Sequence, residues 1–270
     1  MREQIAESDC DPASLRAAPR EEPSHSQNAD IRALIFDVDG TLYRRDLLQR
    51  KLLFQFAKAH ITKPLEALRI FRALHSYRRG LEKLRTARQP LEDIYRDQTD
   101  FACADTGFKR EFIVECVEIW MRQYPSSVLK HCLDQQLVPL LAAARDRGLR
   151  LGVFSDYPAE EKLEAMGLNS YFDVIVCSGD PEVKRLKPDP RGLVVAMEKL
   201  GASKNQAVYI GDRPEIDAAA AGRLGVRCFI LGAKRSDCLR WNCTSFSSFH
   251  ELSSALTLID ADRPTPERYE

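Results

Sequence analysis

An apolar run ends in paired carboxylates at Ala33-Leu34-Ile35-Phe36-Asp37-Val38-Asp39-Gly40-Thr41. The four residues before Asp37 offer no polar face, which is typical of a strand buried on both sides in a parallel sheet. Asp37 and Asp39 stand two residues apart, so their side chains point the same way at the strand end. Gly40 then allows the backbone to turn sharply. This stretch predicts a buried strand with two acidic side chains at its carboxyl end.

Four later runs have the same apolar character: Leu149–Phe154, Val174–Cys177, Ala207–Ile210 and Val226–Leu231. Helical periodicity fills the intervals between and before them, over Leu137–Arg147, Ala159–Met166, Pro190–Leu200 and Pro214–Leu224. All of these helical segments have a glycine at or just after their end, where glycine is preferred. Strands that alternate with helices predict a doubly wound, three-layer α/β fold around a parallel sheet.

The interval between the first two strands breaks this alternation. Residues 44–130 show helical periodicity only, and a simple crossover needs far less chain. We expect an all-α cap domain over 44–130, inserted into an α/β core made of residues 31–43 and 131–259. One terminal helix near Phe249 is expected between Ser236 and Leu258. Residues 1–30 and 260–270 are polar and poor in large apolar side chains, which predicts a disordered leader and tail.

Composition limits the class of protein but names no partner. The 270 residues are 44% hydrophobic and 30% charged, and 40 basic side chains balance 40 acidic ones. The eight cysteines form no C-x-x-C pair and several lie in apolar runs, so we interpret them as small core residues. No secretory signal and no apolar run of about 18 residues is present. We expect a cytoplasmic protein with no membrane partner.

Polar side chains follow three more of the predicted strands: Ser155 with Asp156, Lys187, and Asp212 with Asp217. Active sites of open α/β sheets lie at the carboxyl ends of the strands, so these groups should converge with Asp37. An Asp can accept a phosphoryl group, a second Asp can transfer protons, and carboxylates suit Mg²⁺. Alone, each group has an ordinary explanation, such as a turn, a helix cap or an exposed loop lysine.

Together the four motifs resemble the haloacid dehalogenase superfamily over residues 32–231, in its phosphatase branch with a helical cap between the first two motifs. The resemblance implies a Rossmann-like core, Asp37 as nucleophile, Asp39 as acid and base, and Mg²⁺ as cofactor. It implies phosphate contacts from Ser155 and Lys187, with Thr41 as a further substrate-binding residue. It also implies metal ligands: Asp37, Asp39 through its backbone carbonyl, and Asp212. Asp217 would bind the metal through water or orient the lysine.

The substrate is left open, because the cap matches no one branch of the superfamily. Residues 44–90 carry 13 basic and three acidic side chains. Such a segment can steer a small phosphorylated substrate, bind nucleic acid without sequence preference, or simply be a solvated face. Tyr43, Arg44 and Arg45 are candidate substrate contacts by position. A phosphatase of small metabolites is the main hypothesis, with a phosphomutase and a non-catalytic regulator as alternatives. The oligomeric state is left open.

Overall fold

A computed structural model describes residues 30–86 and 90–261. The predicted leader, apart from Asp30, and the predicted tail from residue 262 onward lie outside the described residues. Six parallel strands form one sheet in the order β3-β2-β1-β4-β5-β6. Their bounds are β1 Ala33–Phe36, β2 Arg150–Ser155, β3 Val174–Cys177, β4 Ala207–Gly211, β5 Arg227–Leu231 and β6 Thr244–Phe246. The predicted parallel α/β fold is confirmed.

Helices cover both faces of the sheet, which gives three layers. Along β1, Leu34 and Phe36 pack into one buried cluster while Ala33 and Ile35 pack into another. The first cluster includes side chains of α6 (Leu137–Asp146), α7 (Glu160–Met166) and α11 (Phe249–Ala261), and the second those of α8 (Arg191–Leu200) and α9 (Ala219–Gly222). Alternate side chains of one strand therefore support opposite layers, as pleating requires.

All regular elements described between β1 and β2 are helical. They comprise α1 Arg45–His60, α2 Pro64–Leu84, α3 Ile94–Thr106, α4 Arg110–Val117, a π-helical segment Glu118–Gln123, α5 Tyr124–Val128, a 3₁₀ turn Leu129–Cys132, and then α6. Before α6, these helices share a buried cluster of their own around Ile70, Tyr77, Ile113 and Trp120. We call residues 44–132 the inserted region. An isolated bridge between Tyr43 and Leu133 joins its two ends. The division of the chain into domains stays a prediction.

Two parts of the sequence-based assignment were wrong. The segment predicted to hold one terminal helix contains α10 (Arg235–Trp241), β6 and α11. Both missed elements are short, and α10 has no buried residue, so neither shows a full apolar period. The helix predicted over Pro214–Leu224 is a π-helical turn, Pro214–Ala218, followed by the short α9.

The described cysteines are all free thiols. Cys116, Cys132, Cys177 and Cys228 are buried, in keeping with their interpretation as core residues, whereas the other three described cysteines are partly exposed. Among the described residues, no helix combines the length and the apolar character needed to cross a membrane.

Candidate active site

Asp37 lies directly after β1 at the base of a cleft between the sheet and the inserted region. Its Oδ1 accepts a hydrogen bond from Lys187 Nζ at 2.5 Å and its Oδ2 one from Thr41 Oγ1 at 3.1 Å. Burial raises the pKa of Asp37 to about 6, although the charge of Lys187 lowers it. The Asp37 carboxylate is thereby fixed in direction and only partly compensated in charge.

Lys187 is the cation that contacts Asp37. Its ammonium is almost completely buried and contacts Asp37, Asp217 Oδ1 at 2.8 Å and the hydroxyl of Tyr209 at 3.0 Å. Burial disfavours the charged amine, but Asp217 and Asp37 outweigh it, so the pKa of Lys187 lies well above its usual value. Lys187 lines the cleft, whereas its sequence neighbours Lys184 and Arg185 do not.

Asp217 positions this lysine. Its Oδ1 accepts from Lys187 and Tyr209, and its Oδ2 accepts from the backbone N–H groups of Asp212 and Arg213 at 3.2 and 3.0 Å. Both oxygens are engaged and the residue is 1% exposed. A Cβ on Gly211 would lie 2.5 Å from the Asp217 carboxyl carbon, so only glycine leaves room for it here. Of the two roles expected for Asp217, this geometry favours orienting the lysine.

The Asp212 carboxyl has little positive charge beside it. Its nearest described cation is Arg45 at 3.9 Å, and burial together with Asp37 and Asp217 raises the pKa of Asp212 to about 8. One carboxylate oxygen from each of these three aspartates lies within 4.8 Å of the others. Gly40 has φ +104°, and a Cβ there would come within 2.3 Å of an Asp212 oxygen. Clustered oxygen ligands whose charges repel one another fit a hard divalent cation such as Mg²⁺.

Asp39 forms an ion pair with Lys162 that engages both carboxylate oxygens. Lys162 Nζ lies 2.6 and 2.7 Å from its two oxygens, and Tyr43 donates its hydroxyl to Oδ1 at 2.6 Å. Burial favours the protonated carboxyl, but Lys162 outweighs it and the pKa of Asp39 is lowered. A carboxylate held in this state is ionised and is a weak base, because Lys162 favours its charged form. To take up or donate a proton, it must first loosen its contact with Lys162.

Ser155 and Thr41 are placed differently from the residues above. Both are buried, and neither lines the cleft. Ser155 Oγ accepts the backbone N–H of Tyr157 at 3.2 Å, while Asp156 and Tyr157 occupy the cleft wall beside it. Thr41 contacts Asp37 instead of facing the cleft. Direct phosphate binding by Ser155 and Thr41 stays a prediction.

The cleft has a volume of about 900 Å³. Tyr43 and Arg45 line it, whereas Arg44 is exposed outside it and pairs with Asp46 at 3.0 Å. The inserted region also contributes basic cleft residues, namely Arg78, Arg79, Lys83 and Arg85. Part of the basic character noted in the sequence is therefore directed at the cleft.

Sequence reasoning missed three side chains of the site. Lys162 lies in α7 among glutamates, and Arg85 follows α2, so neither carries a local signal of function. Tyr209 lies in β4 two residues before Gly211, a position whose side chain points into the α8 layer, yet its hydroxyl reaches Lys187. A strand tyrosine next to polar strand ends is a weak signal that could have been noted.

Known proteins resemble this chain across most of its length. The model of the family described as haloacid dehalogenase-like hydrolase matches residues 31–225. The chain is 28% identical to the glyceraldehyde 3-phosphate phosphatase of Methanopyrus kandleri over 200 residues, which cover 73% of this chain and 82% of that protein. It is 32% identical to the phosphoserine phosphatase of Thermus thermophilus over 155 residues, which cover 55% and 57% of the two chains.

A solved structure supports the fold. The 2-haloacid dehalogenase from Pseudomonas syringae pv. Tomato superposes with a TM-score of 0.60 at 19% identity. The superposition covers 86% of this chain and 98% of the other. At this identity the likeness concerns the fold alone.

Proposed function

This chain belongs to the haloacid dehalogenase-like hydrolases, and on that basis we propose that it hydrolyses phosphate monoesters of small metabolites through a phosphorylated Asp37. One observation carries the proposal: the Asp37 carboxylate lies at the cleft base, held by Lys187 and Thr41 and close to Asp212. The two relatives compared by sequence above are a glyceraldehyde 3-phosphate phosphatase and a phosphoserine phosphatase. A cleft of about 900 Å³ suits a ligand of that size.

In the first half of the reaction, an Asp37 oxygen attacks phosphorus as the bond to the ester oxygen breaks. Lys187 holds the carboxylate in place and offsets negative charge beside it. The leaving oxygen takes a proton, and Asp39 is the candidate donor. Because Lys162 holds Asp39 ionised, donation requires that ion pair to loosen and Asp39 to take up a proton from solvent before the ester bond breaks.

In the second half, water attacks the phosphorus of the acyl phosphate and releases inorganic phosphate and free Asp37. Asp39 is the candidate acceptor for the proton of that water, once the contact with Lys162 that lowers its pKa has loosened. Inorganic phosphate can then leave through the same cleft, and Asp39 retains the proton that it would donate in the next turnover.

A divalent metal fits the proposed site. Asp37 and Asp212 would hold Mg²⁺, with the backbone carbonyl of Asp39 as a further ligand and Asp217 behind them. When bound, the metal would offset the negative charge of the phosphoryl oxygens. Without the metal, the ionised carboxylates of Asp37 and Asp212 would repel an anionic substrate.

The basic residues on the cleft wall attract an anionic substrate. Arg45, Arg78 and Lys83 come from the inserted region and line the cleft. Their long-range field raises the encounter rate of a phosphorylated compound, an effect that salt weakens. This is the role we assign to the basic part of the inserted region.

The test is hydrolysis of p-nitrophenyl phosphate by the full chain, with Mg²⁺ and with EDTA. We expect phosphate release with Mg²⁺, its loss in EDTA, and a fall of about 10³-fold or more in Asp37→Asn. Asp46→Asn, a change of the same kind at an exposed residue paired with Arg44, serves as the control and should retain activity. A panel of phosphorylated metabolites then identifies the substrate. The proposal fails if Asp37→Asn is as active as the native protein or if no phosphate ester is hydrolysed.

A further inference from the structure

Arg85 joins the inserted region to two loops of the active site. It follows the last turn of α2, and its side chain is only 9% exposed. Nη1 donates to Asp156 Oδ2 at 2.7 Å and to the backbone carbonyl of Lys187 at 2.6 Å. Arg85 Nη1 thus bonds both the Asp156 carboxylate and the main chain of Lys187.

Asp156 extends this connection on the sheet side. Its Oδ1 accepts the backbone N–H of Lys187 at 3.0 Å and the hydroxyl of Ser178 at 2.8 Å. Asp156 and Arg85 therefore hold the peptide groups on both sides of the Lys187 Cα, one through N–H and the other through C=O. The ammonium at the other end of that side chain lies 2.5 Å from Asp37.

Glu82 extends the connection on the side of the inserted region. It accepts from Arg85 Nε at 2.9 Å and lies 3.4 Å from Arg213 Nη1, which belongs to the loop after β4. The buried guanidinium of Arg85 thus lies where the inserted region meets the loops after β2, β3 and β4 and the segment that holds Lys187. The ion pair of Arg85 and Asp156 is buried, and the energy of such a pair depends strongly on geometry, so small displacements of Arg85 change the contacts of Lys187.

We propose that Arg85 is a positioning residue through which the inserted region sets the place of Lys187 against Asp37. Docking of the end of α2 on Asp156 and on the Lys187 segment holds Lys187 in place beside Asp37, and displacement of α2 releases the Lys187 main chain. The proposal rests on the proposed function for its kinetic part and on geometry alone for its structural part. Arg85 touches no reacting atom in this account.

The test compares the full-length Arg85→Ala, Arg85→Lys and Arg72→Ala variants. Arg72 lies on the same helix α2 and faces the Phe108 ring at 5.5 Å, away from the site, so its replacement controls for loss of an arginine from α2. Two measurements are made: kcat and KM for p-nitrophenyl phosphate with and without about 20 mM guanidinium chloride, far below denaturing levels, and backbone hydrogen exchange of residues 155–158 and 184–190.

We expect kcat of Arg85→Ala to fall by about tenfold to a hundredfold, as displacement of a positioned group does. Free guanidinium should restore part of that kcat in Arg85→Ala but none in Arg72→Ala. Arg85→Lys should keep an intermediate kcat, because one ammonium can replace the Nη1 contacts but not the contact from Nε to Glu82 as well. Exchange over 155–158 and 184–190 should rise in Arg85→Ala only.

Two results would overturn the inference. The first is an Arg85→Ala variant with native kcat and native exchange in both segments. The second is a fall in kcat that guanidinium does not rescue and that is accompanied by increased exchange throughout the chain, since this marks a purely structural residue. If the native protein hydrolyses no phosphate ester, the proposed function fails, while the exchange data still decide the role of Arg85.

Discussion

Replacement of Lys187 by methionine should destabilise the protein in a pH-dependent way. Lys187 Nζ lies 2.5 Å from Asp37 Oδ1 and 2.8 Å from Asp217 Oδ1, and its side chain is 3% exposed. At an effective dielectric constant of about 20, each contact is worth about 6 kcal/mol of gross attraction. Desolvation of the ions offsets much of this, and removal of one partner from a buried pair typically costs about 3–5 kcal/mol.

The loss depends on pH because protons can replace the lost ammonium. Lys187 itself is charged throughout the range from pH 5.5 to 8, since its pKa lies above the ordinary lysine value. Asp37 already has a pKa of about 6 with Lys187 present, and loss of the ammonium raises it further. At pH 5.5 this carboxyl of the variant is neutral, whereas at pH 8 more of its charge is unpaired. The destabilisation should therefore approach about 3–5 kcal/mol at pH 8 and be clearly smaller at pH 5.5.

Urea unfolding in EDTA measures the free energy of unfolding at both pH values. Lys58→Met, at an exposed lysine, is the matched control and should change little. Addition of Asp217→Asn to Lys187→Met should recover part of the lost stability, because it removes one of the two unpaired carboxylates. A loss below about 1 kcal/mol at pH 8, or an equal loss at both pH values, would refute the reasoning.

Three further predictions concern the metal site, a glycine and the last helix. Mg²⁺ should bind more tightly as pH rises towards the pKa of Asp212, about 8, since a proton must leave first; the metal-free fold should lose stability over the same rise. Equal Mg²⁺-induced shifts in melting temperature at pH 6 and 8.5 would contradict this. Gly211→Ala, whose Cβ would lie 2.5 Å from the Asp217 carboxyl carbon, should lower the free energy of unfolding by about 1–3 kcal/mol. The control Gly222→Ala, with no atom nearer than 3.9 Å, should not, and equal losses would count against the close-packing argument. Leu252→Ala, at a fully buried position of α11, should lose about 2–5 kcal/mol in urea unfolding; native-like stability would show that this position is not part of the core.

The strands that build the sheet could be predicted from the sequence because parallel strands are buried on both faces. Their apolar runs are compact, and β1, β3 and β4 each begin at the residue that the pattern predicts. β6 and α10 could not be predicted in this way. β6 is a three-residue edge strand and α10 exposes all of its side chains at least partly, so the hydrophobic pattern that reports burial is weak in both.

Among the site residues, convergence of Asp37, Lys187, Asp212 and Asp217 followed from their positions after strands of one sheet. Long side chains that reach in from helices could not be anticipated. Lys162 arrives at Asp39 from α7 across 123 residues of sequence, and Arg85 arrives at Asp156 across 71. No local pattern encodes such contacts, since they depend on how the helices pack.

The sequence by itself determined the alternation of strands and helices, the paired carboxylates after β1 and the acidic, hydroxyl and lysine groups at the other strand ends. These features are local, because burial and turn chemistry act over a few residues. Only the tertiary structure decided which partner each group has. In the folded chain, Asp39 pairs with Lys162 and Asp217 accepts a hydrogen bond from Lys187. Ser155 lies behind the cleft wall, and Arg85 bonds the main-chain carbonyl of Lys187. Those choices depend on distances of a few ångströms between elements far apart in the chain, which packing alone fixes.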